Sequence, residues 1–578
     1  MVHYTIAMPE PHSHLFHVTV EADGFATPYV DLILPGWTPG SYLIREFARH
    51  VEQFQADDGS GAPLEWRKVA KDTWRVLIGA AGRFTARYHV YANELTVRTS
   101  HLDGSHGYFN GANVFMYVDG RSAEPQTLTI TPFDGWHIST GLRPGDTAHS
   151  FVAADYDELV DCPVECGTQR VLEFAVDGIP HYLAIWGYGN EDEARLIADT
   201  RRIVEVQRDF FGGLPYDSYT FILHLTDGRG GGLEHRNSVT NAVDRWTFRP
   251  ERSYERYLGL TSHELFHVWN VKRLRPETLG PFNYRAENYT RLLWVMEGVT
   301  SYYDDLLLVR AGLLSPERFM QKLADEIVSL QSQPGRHRQS LEQSSFDAWI
   351  KFYRPDENSA NTSISYYLKG SLVCLMLDMA IRKHSDGERS LDDLLRYLFN
   401  QYPFAGSGIP EDGGMLAAIE AIAGERNGFF RAFYERHIAG TAELDYAEAL
   451  AVVGLEAHWS HRDAQGGATP AWTGLTVKGG DRAIVSHVRS DGPAYRAGIY
   501  PDDELLAIDG WRVSGKKLDQ RLAEHSVGDQ VRLTLFRGDQ LIEISLTLAE
   551  APPDKLELVP MSAMNPEQQE AYRDWLGR

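Results

Sequence analysis

Thr261-Ser262-His263-Glu264-Leu265-Phe266-His267 is the stretch from which the rest of the chain is read. His263 and His267 are four residues apart, so on a helix they project from one face, one turn apart, and can grip one metal ion. Glu264, beside the first histidine, can reach a water on that metal; this is the HExxH arrangement of zinc-dependent hydrolysis. Residues 257–272 contain no proline and one glycine, and apolar residues recur at Leu258, Leu265, Phe266 and Trp269. The spacing predicts a helix over 257–272. A second apolar stretch, Leu292-Leu293-Trp294-Val295-Met296-Glu297-Gly298, offers Glu297 as a third ligand.

At 578 residues, with 43% apolar and 24% charged residues, the chain reads as globular with three or four domains. A net charge of −24 argues against nucleic acid or an anionic membrane as partner. No apolar run is long enough to span a bilayer. The start, Met1-Val2-His3-Tyr4-Thr5, lacks the basic and apolar regions of a signal peptide, which points to the cytoplasm. Three cysteines, Cys162, Cys166 and Cys374, make no disulfide framework and read as free thiols in a reducing compartment.

The pattern is that of a multidomain α+β protein. Residues 1–165 are β-rich, with strands expected over 15–20, 29–34, 73–78, 83–91, 113–118 and 126–131, forming a sandwich or saddle-shaped sheet. Within them, Pro35-Gly36-Trp37-Thr38-Pro39-Gly40-Ser41-Tyr42 reads as a tight turn packing a tryptophan, with a wall of the active site as the alternative. Residues 166–315 mix strands (181–186, 219–225) with a helix (191–210) and then Gly228-Arg229-Gly230-Gly231-Gly232-Leu233-Glu234-His235. Glycines after a strand allow a backbone to approach a ligand closely, which would set the Glu234 carboxylate at a sheet edge. The other reading is a turn with a solvated glutamate. Residues 316–457 are mostly helical, with Ser315-Pro316 as a cap and first helical residue. Ser390-Leu391-Asp392-Asp393 is a capping box with Asp in the final place. Residues 458–470 read as a linker in which His458 and His461 are solvated, 471–550 as a small unit of strands and one or two helices, and 551–578 as a tail with a short helix.

Residues 261–276, Thr-Ser-His-Glu-Leu-Phe-His-Val-Trp-Asn-Val-Lys-Arg-Leu-Arg-Pro, closely resemble the glycyl aminopeptidase family of zinc peptidases. Trp37–Tyr42 followed by Arg45-Glu46-Phe47-Ala48-Arg49-His50 resembles that family's N-terminal signature. The resemblance implies a gluzincin with a thermolysin-like catalytic domain over 166–315, completed by the helical part 316–457. It implies one zinc per chain on His263, His267 and Glu297. The interval 297 − 267 = 30 is longer than in the better-known gluzincin aminopeptidases, and the surplus falls in the loop-forming stretch 276–288. Glu287 is the rival third ligand but precedes the helical pattern. Gly231-Gly232-Leu233-Glu234-His235 is similar to the Gly-x-Met-Glu-Asn exopeptidase motif, whose Glu binds the substrate's α-amino group; His235 departs from it. Tyr367-Leu368-Lys369-Gly370 is similar to a Tyr-x-Lys-Gly motif whose Tyr steadies the tetrahedral intermediate, with Tyr366 as the alternative register. Residues 474–550 resemble a PDZ domain, with Gly474, Leu475 and Thr476 in the carboxylate-binding loop, and such domains take a peptide as an added strand.

The expectation is therefore a zinc aminopeptidase acting on peptides, with Glu264 as base, Tyr367 at the oxyanion and Glu234 on the substrate ammonium. A preference for Gly or Ala at the N-terminus comes from the resemblance alone. A zinc endopeptidase is the alternative within enzymes, and a non-catalytic PDZ-bearing scaffold the alternative outside them. Asp304, 304 − 297 = 7 positions beyond Glu297, reads either as a partner behind a metal ligand or as a solvated acid.

Overall fold

The computed structural model describes residues 1–404, 406–462 and 469–577. The chain divides into two compact units: Met1–Tyr289 with Tyr303–Leu313 and Leu398–Pro410, and Thr290–Tyr302 with Leu314–Tyr397 and Glu411–Arg578.

In the first unit, a seven-stranded sheet has Val2–Ala7 near its middle, parallel to Gln126–Thr131 and antiparallel to Leu15–Asp23. Along Leu15–Asp23, the side chains of Phe16, Val18, Val20 and Ala22 are buried and those between them are not, the period of two that sheets impose. A four-stranded sheet built on Tyr29–Ile33 and Thr73–Leu77 gives Leu32, Trp74 and Val76 to the same apolar core. The expected strand over 113–118 is instead a helical turn, Gly111–Val114, and a two-residue strand, Tyr117–Val118. Gly111 lies so close to Val160 that a Cβ on it would come within 2.7 Å of the Val160 Cα. That contact with a distant segment overrides the local β-propensity of the stretch. A third sheet sets Val164–Gly167 beside His106–Phe109.

The five-stranded sheet that follows runs in the order Arg170–Val176, Ile179–Trp186, Tyr219–Thr226, Ser238–Asp244, Gly231–Glu234. Asp177 and Gly178, at φ 53° and 80°, turn the first hairpin in the left-handed conformation that Asp-Gly supplies. Tyr219–Thr226 is parallel to Ile179–Trp186, so the chain must cross over, and the helix Glu193–Phe211 does so. Asp192 starts that helix by accepting the Arg195 N–H, and Gly212 at φ 82° ends it. Gly231–Glu234 closes the sheet as an edge strand, paired among the described strands with Ser238–Asp244 alone.

The second unit is mostly helical up to Val452. Ser315 caps Pro316–Gln331 by accepting the Arg318 N–H, and the Asp393 carboxylate accepts the Ser390 N–H at 2.9 Å. Residues 458–460, expected within a linker, are strand: Leu455–Ser460 pairs with Lys555–Pro560, which ties the tail back to this unit. The part of the expected linker over 463–468 lies outside the described residues. The tail helix Pro566–Trp575 buries Trp575 completely. Between the two paired strands lies a sheet in the order Leu475–Lys478, Ala483–Val488, Glu504–Ile508, Gln530–Arg537, Gln540–Thr547, with its own apolar core. The three cysteines are buried free thiols. No helix among the described residues is long and apolar enough to cross a membrane.

Candidate metal centre and substrate edge

The histidine helix is Glu251–Phe266; it starts before residue 257 and stops well before 272. Beyond Phe266 the chain folds into a tight turn, with Val271 at φ 94° and the Lys272 N–H donating to the His267 carbonyl. The turn serves His267, whose Nδ1 sits 2.8 Å from the Asn270 carbonyl oxygen. One turn earlier, His263 Nδ1 sits 3.1 Å from Asp304 Oδ2. Both partners are acceptors, so each Nδ1 carries the proton and each Nε2 the lone pair, the tautomer that ligates a divalent metal. Asp304 is thus held behind His263 rather than left as a solvated acid.

Glu264 is buried and packs on Gly232, where a Cβ would fall 2.1 Å from Glu264 Oε1. A side chain at position 232 would therefore displace the carboxylate. Glu234, two residues on, shares that face of the strand. Its carboxylate, that of Glu264 and a ring nitrogen of His267 lie within 4.8 Å of one another. Gly40 closes on Glu234 from the N-terminal loop, where a Cβ would come within 2.6 Å of Glu234 Oε1, and its φ of 87° suits only glycine. Trp37 of the same loop is fully buried and donates to the Asn283 carbonyl at 2.9 Å. The loop both packs its tryptophan and walls Glu234, so the tight-turn reading alone falls short. Glu234 is 4% exposed and, among the described residues, forms no ion pair with a lysine, arginine or histidine.

His235 has a different role. It is buried with Nδ1 3.5 Å from Asp161 Oδ1, and Asp161 also holds Lys272 at 2.8 Å. Burial raises the Asp161 carboxyl, but Lys272 and His235 outweigh it and keep the group well below the usual carboxylate range.

The remaining expected residues belong to the second unit. Glu297 is buried in a π-helical turn, Trp294–Gly298, that leads directly into the helix Val299–Arg310. Such turns within helices are frequent at functional sites. Glu287 lies in irregular chain ahead of it. Gly298 meets Gly370 so closely that a Cβ on Gly298 would come 2.6 Å from the Gly370 Cα. That approach explains the glycine in both Glu297-Gly298 and Tyr367-Leu368-Lys369-Gly370. Tyr367 stands half-buried at the N-cap of Leu368–His384, whereas Tyr366 is fully buried, which favours Tyr367 as the hydroxyl a substrate can meet. Farther along, Gly474 sits at φ 80°, with its carbonyl accepting the Arg489 N–H. Leu475 and Thr476 pair with Val488 and His487, and the other edge of their strand has no strand partner among the described residues.

One cluster has no local signature in the sequence. His106 Nδ1 is 2.8 Å from Glu165 Oε1 and His224 Nε2 is 2.9 Å from Glu165 Oε2, all three side chains fully buried. The His106 ring stacks on Trp186 at 3.7 Å. Burial raises the Glu165 carboxyl, but the two imidazoles prevail and lower it to about 2.

Comparison with known proteins gives the family. The M61 peptidase N-terminal domain matches residues 3–168, the M61 glycyl aminopeptidase domain residues 256–373, and a PDZ domain residues 462–548. A solved aminopeptidase N family protein from Idiomarina loihiensis is 30% identical, with 100% of each chain covered and a TM-score of 0.91. An M1 zinc metallopeptidase from Deinococcus radiodurans is 16% identical over 77% of this chain and 94% of that one, with a TM-score of 0.48. A probable periplasmic serine endoprotease DegP-like of Brucella suis biovar 1 is 36% identical over 74 residues, which are 13% of this chain and 14% of that protein. Fold and matches together define a metallopeptidase. The chain belongs to the M61 glycyl aminopeptidase family.

Proposed function

We propose that this protein removes the N-terminal residue of peptides, with one zinc ion held by His263, His267 and Glu297. Two imidazoles and a carboxylate are the donor set of a catalytic zinc, and the tautomers set by Asp304 and the Asn270 carbonyl suit it. Asp304 lies two turns beyond Glu297 along the same helical run, so its hold on His263 also favours Glu297 over Glu287. A zinc ion there supplies Lewis acidity, polarising the scissile carbonyl and bringing a water's pKa toward about 7. Glu264 takes the water's proton and delivers it to the leaving amine. Tyr367 donates a hydrogen bond to the developing oxyanion. Gly231 and Gly232 keep the strand edge clear, and Glu234 pairs with the substrate's α-ammonium. A preference for Gly or Ala accords with the tight contact of Gly40 on Glu234. Gly474, Leu475 and Thr476 receive a peptide C-terminus as an added strand.

The observation that carries the reading is Glu234: a buried carboxylate, beside Glu264, for which the protein's own side chains provide no ion pair. An ammonium completes it, and an endopeptidase has no use for it. The test pairs a free-amine peptide with its N-acetyl counterpart. The wild type should cleave the free amine at least about 100-fold faster, since an uncompensated buried charge costs about 3–5 kcal/mol, and Glu234→Ala should remove most of that advantage. Comparable wild-type rates on both peptides would favour the endopeptidase instead.

A further inference from the structure

Arg98 stands at the same strand edge as Glu234. Its loop is held in place: the Arg98 N–H donates to Thr96 Oγ1 at 3.2 Å, Asn110 Nδ2 donates to the Val97 carbonyl at 3.0 Å, and Asn113 Nδ2 to the Arg98 carbonyl at 3.1 Å. The guanidinium is poorly served by comparison. Nη2 makes one long contact, 3.4 Å, to the Gly232 carbonyl, and Nε is buried without a hydrogen-bond partner. No carboxylate among the described residues pairs with it. An ordered, half-buried arginine without an anion is poised for one from outside.

Strand register shows where that anion would lie. The His235 N–H bonds the Ser238 carbonyl, and Leu233 and Gly231 face Thr240 and Ala242. Hydrogen-bonded pairs alternate in an antiparallel ladder, so Gly232 and Glu234 turn their backbone groups to the open edge. Arg98 therefore reaches the open edge at Gly232, two residues from Glu234. Two strand residues span about 7 Å, which matches the distance from the ammonium to the carboxylate of an extended dipeptide. A fixed anion at one end and an unpaired cation at the other complement a short zwitterion. Gly231 permits this arrangement, because a Cβ there would come within 3.3 Å of Arg98 Nη1.

We propose that Arg98 binds the C-terminal carboxylate of the substrate and that the preferred substrates are dipeptides with a free C-terminus. The proposal rests on the aminopeptidase reading, and the experiment separates the two. A dipeptide, its C-terminal amide and an aminoacyl p-nitroanilide are compared by kcat/KM in the wild type, Arg98→Ala and Arg98→Lys, with thermal melting to check folding. The wild type should favour the free acid over the amide by about tenfold or more, the scale of a charge-assisted pair. Arg98→Ala should bring that ratio close to one, mostly through KM for the acid, and Arg98→Lys should restore part of it. Equal wild-type rates on acid and amide, or a ratio that survives in a folded Arg98→Ala, would overturn the assignment of Arg98 while leaving the aminopeptidase in place. Wild-type failure on all three substrates would instead overturn the aminopeptidase reading.

Discussion

Two histidine–carboxylate clusters occupy the first unit, and they are wired differently. At His106–Glu165–His224 both imidazoles turn inward to the carboxylate, while His106 Nε2 and His224 Nδ1 are buried without a hydrogen-bond partner. At His263 and His267 the Nδ1 atoms turn outward, to Asp304 and to the Asn270 carbonyl. A metal-binding imidazole needs an acceptor behind it to fix its proton, and the second pair has one behind each ring. In the first, one carboxylate serves both rings, so it is a joint that ties the sheet carrying His106 and Glu165 to the sheet carrying His224. Residue composition does not separate the two clusters; the first shares a single acceptor, and the second gives each ring its own.

The largest expected effect falls on Glu264. Glu264→Gln should cut turnover by about 10³-fold or more while zinc content by elemental analysis stays near one per chain, because a base is lost and no ligand is. Loss of zinc from this variant would make Glu264 a ligand and blur the contrast.

Glu165 should behave in the reverse way. Glu165→Ala leaves two buried imidazoles facing nothing and should cost about 3–5 kcal/mol in denaturant unfolding, with zinc content unchanged. A drop in bound metal would turn the joint into a second metal site. The acid limb offers a further check. The folded Glu165 carboxyl is lowered to about 2, so its contribution is complete above its unfolded value near 4.3 and fades as pH falls toward 2. The variant should lack that part of the wild-type acid transition.

Asp304→Asn should give the smallest effect, about 10–100-fold weaker zinc binding in a chelator competition, since the ring keeps its place but loses the charge behind it. Affinity equal to wild type would mean that Asp304 does not tune His263.

Much of this site was legible in the sequence because helical and strand periods place it. Four residues set His263 above His267, and two residues set Gly232 and Glu234 on one face. The Gly40 contact was not legible, since Gly40 and Glu234 belong to separate sheets' loops and strands and meet only on folding. The joint was invisible for the same reason: His106, Glu165 and His224 come from three distant strands with no common spacing. The helix end falls at Phe266 rather than 272, because an apolar pattern cannot announce the turn that holds Val271, a β-branched residue, at φ 94°. Arg98 carried no pattern at all; what marks it is an ion pair that it does not make.

The helix Val299–Arg310, which follows the turn bearing Glu297, is held by residues made much later. Tyr302, near its start, donates to Asp378 at 2.6 Å and accepts the indole N–H of Trp575 at 2.8 Å, across 273 positions of sequence. At ribosomal speeds of about 5–20 residues per second, roughly 14–55 s separate the synthesis of these two partners. The nascent chain carries its HExxH segment through that interval before Trp575 can reach Tyr302.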